Sequence, residues 1–366
     1  KRIGVLENKR VNFIGDEVLY RNLSNSPSKL ESIFEIVNHT DLSLQEGART
    51  VILTDFIRKE FLNLEGDDTK LINKLGVVPI LKYILAEQPT NASLAVLTGS
   101  LVVVNENALS HLKELLSIAQ LVVKPLEGSA GYIFIQVPDA LKNKIAESVT
   151  QLFKEGIIKT LIGTKAFLGE GWDAPCINTL ILASYVGSFV SSNQMRGRAI
   201  RVDADNPNKT GAIWHLACLD PTAIDGGKDM EKLQQRFEAF NGVSIRDEAY
   251  ISNGIDRLVL PLNWSETSDL SAINEDMLSR AQQKSVFTER WNEAIANGNV
   301  LVRELNIPFS EAQSFARQKQ LNALNAGKYV MLEVVLGVSL FIPEFLIKNF
   351  GAVLNKGIVQ VIYLFC

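Results

Sequence analysis

Two arginines and a glutamine near the middle of the chain have the residue types and the spacing of a phosphate-binding site. They are Gln194, Arg198 and Arg201. A helix capped by Ser192 or Asn193 would place the three side chains on one face, at positions i, i+4 and i+7. Guanidinium groups bind phosphate oxygens bidentately, so this face could grip a triphosphate.

Gly197 occupies the same predicted face and bears on what that face contacts. A better helix former would stabilise the helix there by up to about 1 kcal/mol. Glycine therefore indicates a close approach by a ligand or by another stretch of backbone. The alternative is a solvated basic helix, which is the usual outcome for two arginines at helical spacing. Arginine rather than lysine at both positions favours the phosphate site.

The composition is that of an ordinary globular protein. A chain of 366 residues is long enough for two domains. Of these residues 46% are apolar and 21% charged, a composition that excludes wholesale disorder. The net charge of -4 gives no overall attraction for nucleic acid, so such binding requires a local basic groove. The three cysteines show no CxxC spacing and the three histidines lie far apart. These features predict no metal site, no disulfide scaffold and a cytoplasmic location.

Short apolar runs alternate with amphipathic segments over the first 220 residues. Strands are predicted at 50–54, 93–97, 157–162, 179–183 and 211–217, and helices at 28–37, 78–87 and 141–154. This alternation is typical of βαβ units and predicts a parallel sheet flanked by helices. Ligands of such sheets bind at the carboxyl ends of the strands. Asp55, Gly99 and Thr164 would gather there, together with the arginine segment.

A change of composition after Pro221 predicts a domain boundary near Asp220. The chain then divides into a lead-in segment with a helix, a sheet domain, a helical accessory domain and an apolar tail, at 1–48, 49–220, 221–328 and 329–366. In the accessory domain we expect helices at 229–240, 274–297 and 310–324 and a short strand at 257–262.

The apolar tail leaves two interpretations open. Its first stretch, Tyr329 to Ile347, is about long enough to span a bilayer, and a second apolar stretch follows at 350–366. Glu333 and Glu344 oppose insertion, because an acid at the centre of a span costs roughly 2.5 to 3.5 kcal/mol. The tail is either a membrane hairpin, which would give the protein a membrane contact, or a pair of core helices.

Four segments, taken in order, resemble the motifs of the second, C-terminal RecA-like domain of superfamily 2 DEAD/DEAH-box-like helicases. They are Asp55 with its strand, the turn ending at Gly99, the run from Gly163 to Asp173, and the segment from Gln194 to Arg201, of which the last two fit motifs V and VI. The resemblance covers roughly residues 28–220. It implies an α/β fold with a RecA-like parallel sheet, of the P-loop NTPase type but without the P-loop, followed by a mostly helical extension.

The resemblance also implies roles at an ATP site. Arg198 and Arg201 fit arginine fingers that reach the γ-phosphate, and such residues contribute on the order of 10³ to 10⁵ in rate. Gln194 would position the γ-phosphate or the attacking water. The implied ATP-binding residues are Gly171, whose backbone can approach closely, Asp173, which could accept from the ribose or orient the arginines, and Gly197.

Motif V in this family contacts the nucleic-acid backbone. Thr164, placed on a turn after its strand, is suited to a phosphodiester oxygen, and Lys165 could add a charge-assisted contact. Gly99 and Asp55 complete the implied nucleic-acid-binding set. The alternative for Lys165 is a solvated surface charge, and Trp172 fits the core better than it fits a base-stacking platform.

No Gly-x-x-x-x-Gly-Lys-[Ser/Thr] phosphate loop occurs in the sequence. Asp247-Glu248-Ala249-Tyr250 resembles a DEAD-type box but follows motif VI, so we interpret it as coincidence. We therefore expect ATP and Mg²⁺ to be held mainly by an N-terminal RecA-like domain that precedes Lys1 in a longer protein. This chain alone is expected to be inactive as an ATPase. Its expected partners are that domain and DNA or RNA, with DNA favoured, and the alternative function is a non-catalytic nucleic-acid-binding or scaffold module.

Overall fold

The computed structural model of the chain describes most of residues 25–296. Its main described ranges are 25–64, 71–88, 93–116, 121–169, 172–184 and 189–296, with short gaps after residue 207, and it also describes residues 6, 7, 10, 11 and 326–333. Residues Lys1–Val302 form one compact unit and Arg303–Cys366 a second. Within the second unit, residues 326–333 are helical.

The elements alternate between strands and helices through most of the first unit. The strands are β1 (Leu6–Glu7), β2 (Arg10–Val11), β3 (Thr50–Thr54), β4 (Leu94–Leu97), β5 (Val102–Asn105), β6 (Val123–Pro125), β7 (Tyr132–Ile135), β8 (Thr160–Thr164), β9 (Thr179–Leu182), β10 (Ala212–His215), β11 (Asn241–Val243) and β12 (Ile251–Asn253). The α-helices are α1 (Lys29–Leu44), α2 (Val77–Glu87), α3 (Glu106–Leu116), α4 (Lys142–Glu155), α5 (Lys165–Leu168), α6 (Phe189–Ala199), α7 (Lys228–Phe237), α8 (Leu270–Gln282) and α9 (Lys284–Ala296). Short 3-10 turns lie at Gln45–Gly47, Lys59–Phe61, Asp139–Leu141 and Ile255–Leu258.

Eight strands form one mixed sheet in the order β10-β9-β3-β8-β4-β5-β7-β6. The first five are parallel to one another, and β5, β7 and β6 add an antiparallel extension at the far edge. The parallel part confirms the predicted α/β, RecA-like sheet flanked by helices. The antiparallel extension is absent from the prediction. Strands β6 and β7 are short and only partly buried, whereas β5, with three consecutive valines, carries a strand signal that the prediction missed.

Alternation along each central strand divides the core into two layers. Val51 and Leu53 point to the layer under α3 and α4, whereas Ile52 points to the layer under α1 and α2. All three side chains are at most 1% exposed. Burying each such side chain contributes about 1.5–3 kcal/mol, so the sheet is held from both faces.

Two predicted strands are corrected by the structure. The strand predicted at 157–162 begins at Thr160, because Gly156 ends helix α4 with φ +87° and Ile158 still donates back to the Leu152 carbonyl at 3.2 Å. The strand then continues through Gly163 and Thr164, which are therefore not a turn. Residues 257–261 form no strand, and a 3-10 turn there is followed by Val259 at φ +55°; the last residue of the predicted strand lies outside the described residues.

The segment after residue 220 packs around its own apolar cluster. Its buried members are Met230, Leu233, Phe237, Phe240 and Trp264. A buried ion pair between Lys29 of α1 and Asp229 of α7, with 2.9 Å between Nζ and Oδ2, joins this segment to the sheet domain. The boundary near Asp220 remains a prediction.

The tail and the helix predicted at 310–324 lie largely outside the described residues. Among the residues that are described, no helix has the length and apolar character needed to cross a bilayer.

Candidate functional site

The carboxyl ends of β3 and β8 lie side by side and bring two charged residues together. Thr54 and Thr164 are partners in the parallel register, so the residues that follow them, Asp55 and Lys165, are neighbours. The Lys165 ammonium lies 2.6 Å from an Asp55 carboxylate oxygen. On the other side, Ser184, which follows β9, donates to Asp55 at 2.9 Å.

Lys165 is held in this edge rather than exposed to solvent. Its side chain is 13% exposed, so the interpretation as a solvated surface charge is wrong. Burial lowers the pKa of Lys165, and the contact with Asp55 opposes that shift. Arg236 and Lys29 lie near enough to lower the pKa further. Lys165 is therefore a half-buried cation that forms an ion pair with Asp55.

Gly163 and Thr164 set how closely the neighbouring elements pack. A Cβ on Gly163 would lie 2.7 Å from the Leu97 carbonyl oxygen of β4, so the strand accepts only glycine there. Thr164 ends the strand and is 8% exposed. Gly99 follows β4, and a Cβ there would make an ordinary 3.7 Å contact with Phe167 of α5. The edge therefore unites β3, β8 and β4, as the sequence predicts, and leaves little of the Thr164 side chain exposed.

The arginine-bearing helix begins earlier than predicted. Helix α6 starts at Phe189, so neither Ser192 nor Asn193 is its N-cap. The Asn193 side chain instead accepts from Arg196 Nη1 at 3.4 Å, a local use that competes with capping. Gln194 lies on the exposed side of the helix.

The side chain of Arg198 extends from α6 towards the segment that follows β8. Its Nη2 donates to the Gly169 carbonyl at 2.8 Å, while its buried Nε has no partner among the described residues. Burial lowers the pKa of Arg198, Arg201 lowers it further, and Asp173 opposes both. One face of this guanidinium is thus fixed to backbone and the rest of its donors remain available.

Arg201 lies beyond the end of α6 and pairs with Asp173. The expectation of one continuous helical face for Gln194, Arg198 and Arg201 is therefore wrong for the last residue. Both partners of the pair are about half exposed, at 53% and 56%. The two arginines consequently rest on the same short segment, 169–173, one through its backbone and the other through a carboxylate.

Gly197 has open space around it. Apart from its chain neighbours and the backbone of its own helix, no atom of the described residues lies within 4 Å of the position that a Cβ would take. The described residues therefore make no close approach to Gly197, and the expected approach of a ligand or of another stretch of backbone stays a prediction. Gly171, predicted to bind ATP, lies outside the described residues.

Trp172 belongs to the core. Its indole nitrogen donates to Thr150 Oγ1 at 2.8 Å and its ring lies 6.2 Å from that of Phe153. This placement confirms the core interpretation and removes Trp172 from the candidates for base stacking.

Sequence reasoning missed Ser184 and Arg196. Ser184 directly follows the strand run that ends in Ala183, just as Asp55 follows its own run, so its place at the carboxyl edge could have been found from that pattern. Arg196 stacks on Phe240, with its guanidinium carbon 3.4 Å from the ring centroid. No spacing in the sequence links residues so far apart.

The comparisons with known proteins single out the same part of the chain. Residues 93–203 match the family model described as the helicase conserved C-terminal domain. The matched segment begins just before β4 and includes Lys165, Arg198 and Arg201, but not Asp55. No curated protein matches the chain.

Proposed function

We propose a motor function on one premise: residues 93–203 of the chain are the C-terminal domain of a superfamily 2 helicase. Such a domain is a helicase-type nucleic-acid-binding and translocating module. In the proposed function, this module is the second motor domain of an ATP-dependent helicase or translocase. Arg198 and Arg201 supply positive charge to ATP, and the carboxyl edge of the sheet holds the nucleic-acid backbone.

The observation that carries the proposal is the shared anchorage of Arg198 and Arg201. Both contact the segment 169–173, which follows directly from β8 and α5. Because β8 ends at Thr164 and Lys165 directly follows it, one continuous stretch of backbone joins the two halves of the site. A change at the nucleic-acid edge can therefore reach the arginines over a short covalent path.

The donors of Arg198 fit a phosphate ligand. The contact with Gly169 uses Nη2, and Nε is buried without a partner in the described part of the chain. A buried donor of this kind loses its hydrogen bond to water, so an anion that accepts from it is stabilising. When bound, ATP with Mg²⁺ would supply the phosphoryl group to be transferred. Arg198 and Arg201 would bind its γ-phosphate and stabilise the developing charge, with Gln194 near the attacking water.

At the carboxyl edge of the sheet, Lys165 would offset the charge of a phosphodiester. Its pair with Asp55 holds the ammonium in place, so little conformational freedom is lost on binding. Gly99 has no side chain, so the nucleic-acid strand could approach its backbone closely. Thr164 is 8% exposed, which favours a contact from its backbone over one from its hydroxyl.

The test requires a protein in which a RecA-like domain with a phosphate loop precedes this chain. Arg198→Gln and Arg201→Gln are each expected to lower the nucleic-acid-stimulated kcat for ATP hydrolysis by on the order of 10³ or more, because each removes charge from the transition state. Lys124→Gln on edge strand β6 is the matched control, since it removes one exposed cation at the opposite side of the sheet and should leave kcat unchanged. Full activity in either arginine variant would refute the assigned roles. Nucleic-acid binding without any ATPase activity in the unaltered protein would favour a scaffold instead.

A further inference from the structure

Two further arginines converge on aromatic rings beside the end of β10. Arg196 of α6 stacks on Phe240 at 3.4 Å, and Arg257 lies 5.4 Å from the ring centroid of Phe237. The imidazole of His215, the last residue of β10, lies 5.4 Å from Phe237 and 6.4 Å from Phe240. We call these five residues the arginine–aromatic cluster. It brings positive charge into a half-buried, largely apolar environment.

Neither guanidinium of the cluster has a carboxylate partner among the described residues. Arg196 donates to Asn193 at 3.4 Å, which is a long hydrogen bond to a neutral group. Within the described part of the chain, Arg257 Nε is buried without a hydrogen-bond partner, and so is the indole nitrogen of Trp214. Buried donors and charges without partners are costly, and proteins normally satisfy them with a counter-charge.

The electrostatics of the cluster point the same way. Burial, with Arg257 adding to it, lowers the pKa of Arg196 to about 10. Burial, followed by the charges of Arg236, Arg196 and Arg257, lowers the pKa of His215 to about 3. His215 is therefore neutral at physiological pH and adds no charge of its own to the cluster.

We propose that the arginine–aromatic cluster is a binding site for a phosphoryl group, which accepts hydrogen bonds from Arg196 and Arg257. A phosphate presents several oxygens and matches the forked geometry of two guanidiniums, so it can satisfy both at once. The rings of Phe237 and Phe240, which meet edge to face, hold the guanidiniums in place before the ligand arrives. The phosphoryl group could belong to a nucleic-acid backbone or to a free phosphorylated compound.

This site is separate from the proposed ATP site. Arg196 and Arg198 are two residues apart on α6, which places their side chains about 200° apart around the helix axis. Arg198 contacts Gly169, whereas Arg196 contacts Phe240 in the segment that follows residue 220. The proposal therefore rests on the geometry of this cluster alone, and it can fail or hold without affecting the proposed motor function.

Phosphate binding to the full chain provides the first test. Thermal unfolding is measured in chloride and in inorganic phosphate at equal ionic strength, and the dissociation constant is measured by titration calorimetry. Phosphate is expected to raise the melting temperature of the unaltered chain. Arg196→Gln and Arg257→Gln should each weaken phosphate binding about tenfold or more, because each removes charge-assisted hydrogen bonds. Lys124→Gln, which removes one cation at the opposite edge of the sheet, should bind phosphate as the unaltered chain does.

A second readout separates a binding site from a purely structural stack. In chloride, Arg257→Gln should unfold at the same temperature as the unaltered chain or higher, since it removes a charge that nothing compensates. Arg257→Lys keeps the charge but loses the forked guanidinium, so it should bind phosphate with intermediate affinity. It also provides a test if Arg257→Gln does not fold. Unchanged phosphate binding in the folded variants of both arginines, or no phosphate binding by the unaltered chain, would overturn the proposal.

Competition identifies the source of the phosphoryl group. A single-stranded oligothymidylate is titrated against the chain with inorganic phosphate already bound. Displacement of the phosphate from the unaltered chain, together with weaker oligonucleotide binding by Arg257→Gln, assigns the site to a nucleic-acid backbone. Phosphate that stays bound in the presence of the oligonucleotide assigns it to a free phosphorylated compound.

Discussion

The buried pair between Lys29 and Asp229 offers the most direct test of how the segment after residue 220 is attached. The side chains of the two residues are 4% and 2% exposed, and Nζ lies 2.9 Å from Oδ2. The same carboxylate oxygen accepts from the Cys218 backbone at 2.8 Å, and Lys29 also donates to the Leu216 carbonyl at 3.2 Å. Asp229→Asn removes the charge but keeps an oxygen that can accept from Cys218.

The expected cost follows from this burial. At 2.9 Å and an effective dielectric constant near 20, the attraction between the charges is on the order of 6 kcal/mol. Desolvation offsets much of that attraction while both charges are present. Removal of one partner leaves the other ion buried without this counter-charge, so Asp229→Asn should lower the free energy of unfolding by about 3 to 5 kcal/mol. Replacing both residues, as Lys29→Met with Asp229→Leu, should cost much less, because no unpaired charge remains.

Urea unfolding followed by circular dichroism measures these differences. The control is Asp139→Asn, which breaks the exposed pair with Lys142 on the surface and should produce no measurable change. A loss below about 1 kcal/mol for Asp229→Asn, the range of surface pairs, would refute the reasoning. A double variant as unstable as the single one would also refute it, because the deficit would then not come from an uncompensated charge.

Two further predictions concern stability. Gly163→Ala should lower the free energy of unfolding by roughly 1 to 3 kcal/mol, because the new Cβ would meet the Leu97 carbonyl. Gly197→Ala has open space around the new Cβ and should raise the free energy of unfolding by up to about 1 kcal/mol. Urea unfolding of both variants checks this prediction, and equal effects would contradict it. Burial raises the pKa of Asp41 to about 6 despite the opposing charge of Lys159, so the folded state prefers the protonated carboxyl and loses this stability as the pH rises through 6. Asp41→Asn should therefore stabilise the protein at pH 8, by about 1 kcal/mol after allowance for its partial exposure, but not at pH 4, and an equal gain at both pH values would contradict the assignment.

The parallel part of the sheet was predictable because its strands are buried on both faces. Such strands appear in the sequence as short continuous apolar runs, and the run at Thr50–Thr54 matches the observed strand β3 residue for residue. The contact between Asp55 and Lys165 follows once β3 and β8 are neighbours in register. Elements whose ends depend on other contacts were less predictable. The start of β8 depends on the C-cap at Gly156, a backbone feature that the apolar pattern does not reveal.

The candidate site was predictable in its residues and less so in its contacts. The motif spacing identified Arg198 and Arg201, but Arg201 is positioned by Asp173 after the helix has ended. The Arg196–Phe240 stack joins residues 44 positions apart and depends on how the segment after residue 220 folds back. Such long-range pairs carry no periodic signal along the chain.

The position of β8 in the sheet has a mechanical consequence. This strand lies between β3 and β4, with parallel neighbours hydrogen-bonded on both sides, and the segment that anchors both arginines follows from it. A strand held between two hydrogen-bonded neighbours has little freedom to slide or tilt alone, so the carboxyl ends of β3, β8 and β4 move together. In the proposed function, a movement that carries the arginines towards a nucleotide would therefore move the sheet as a rigid body, and the bending would occur in the connections outside the sheet.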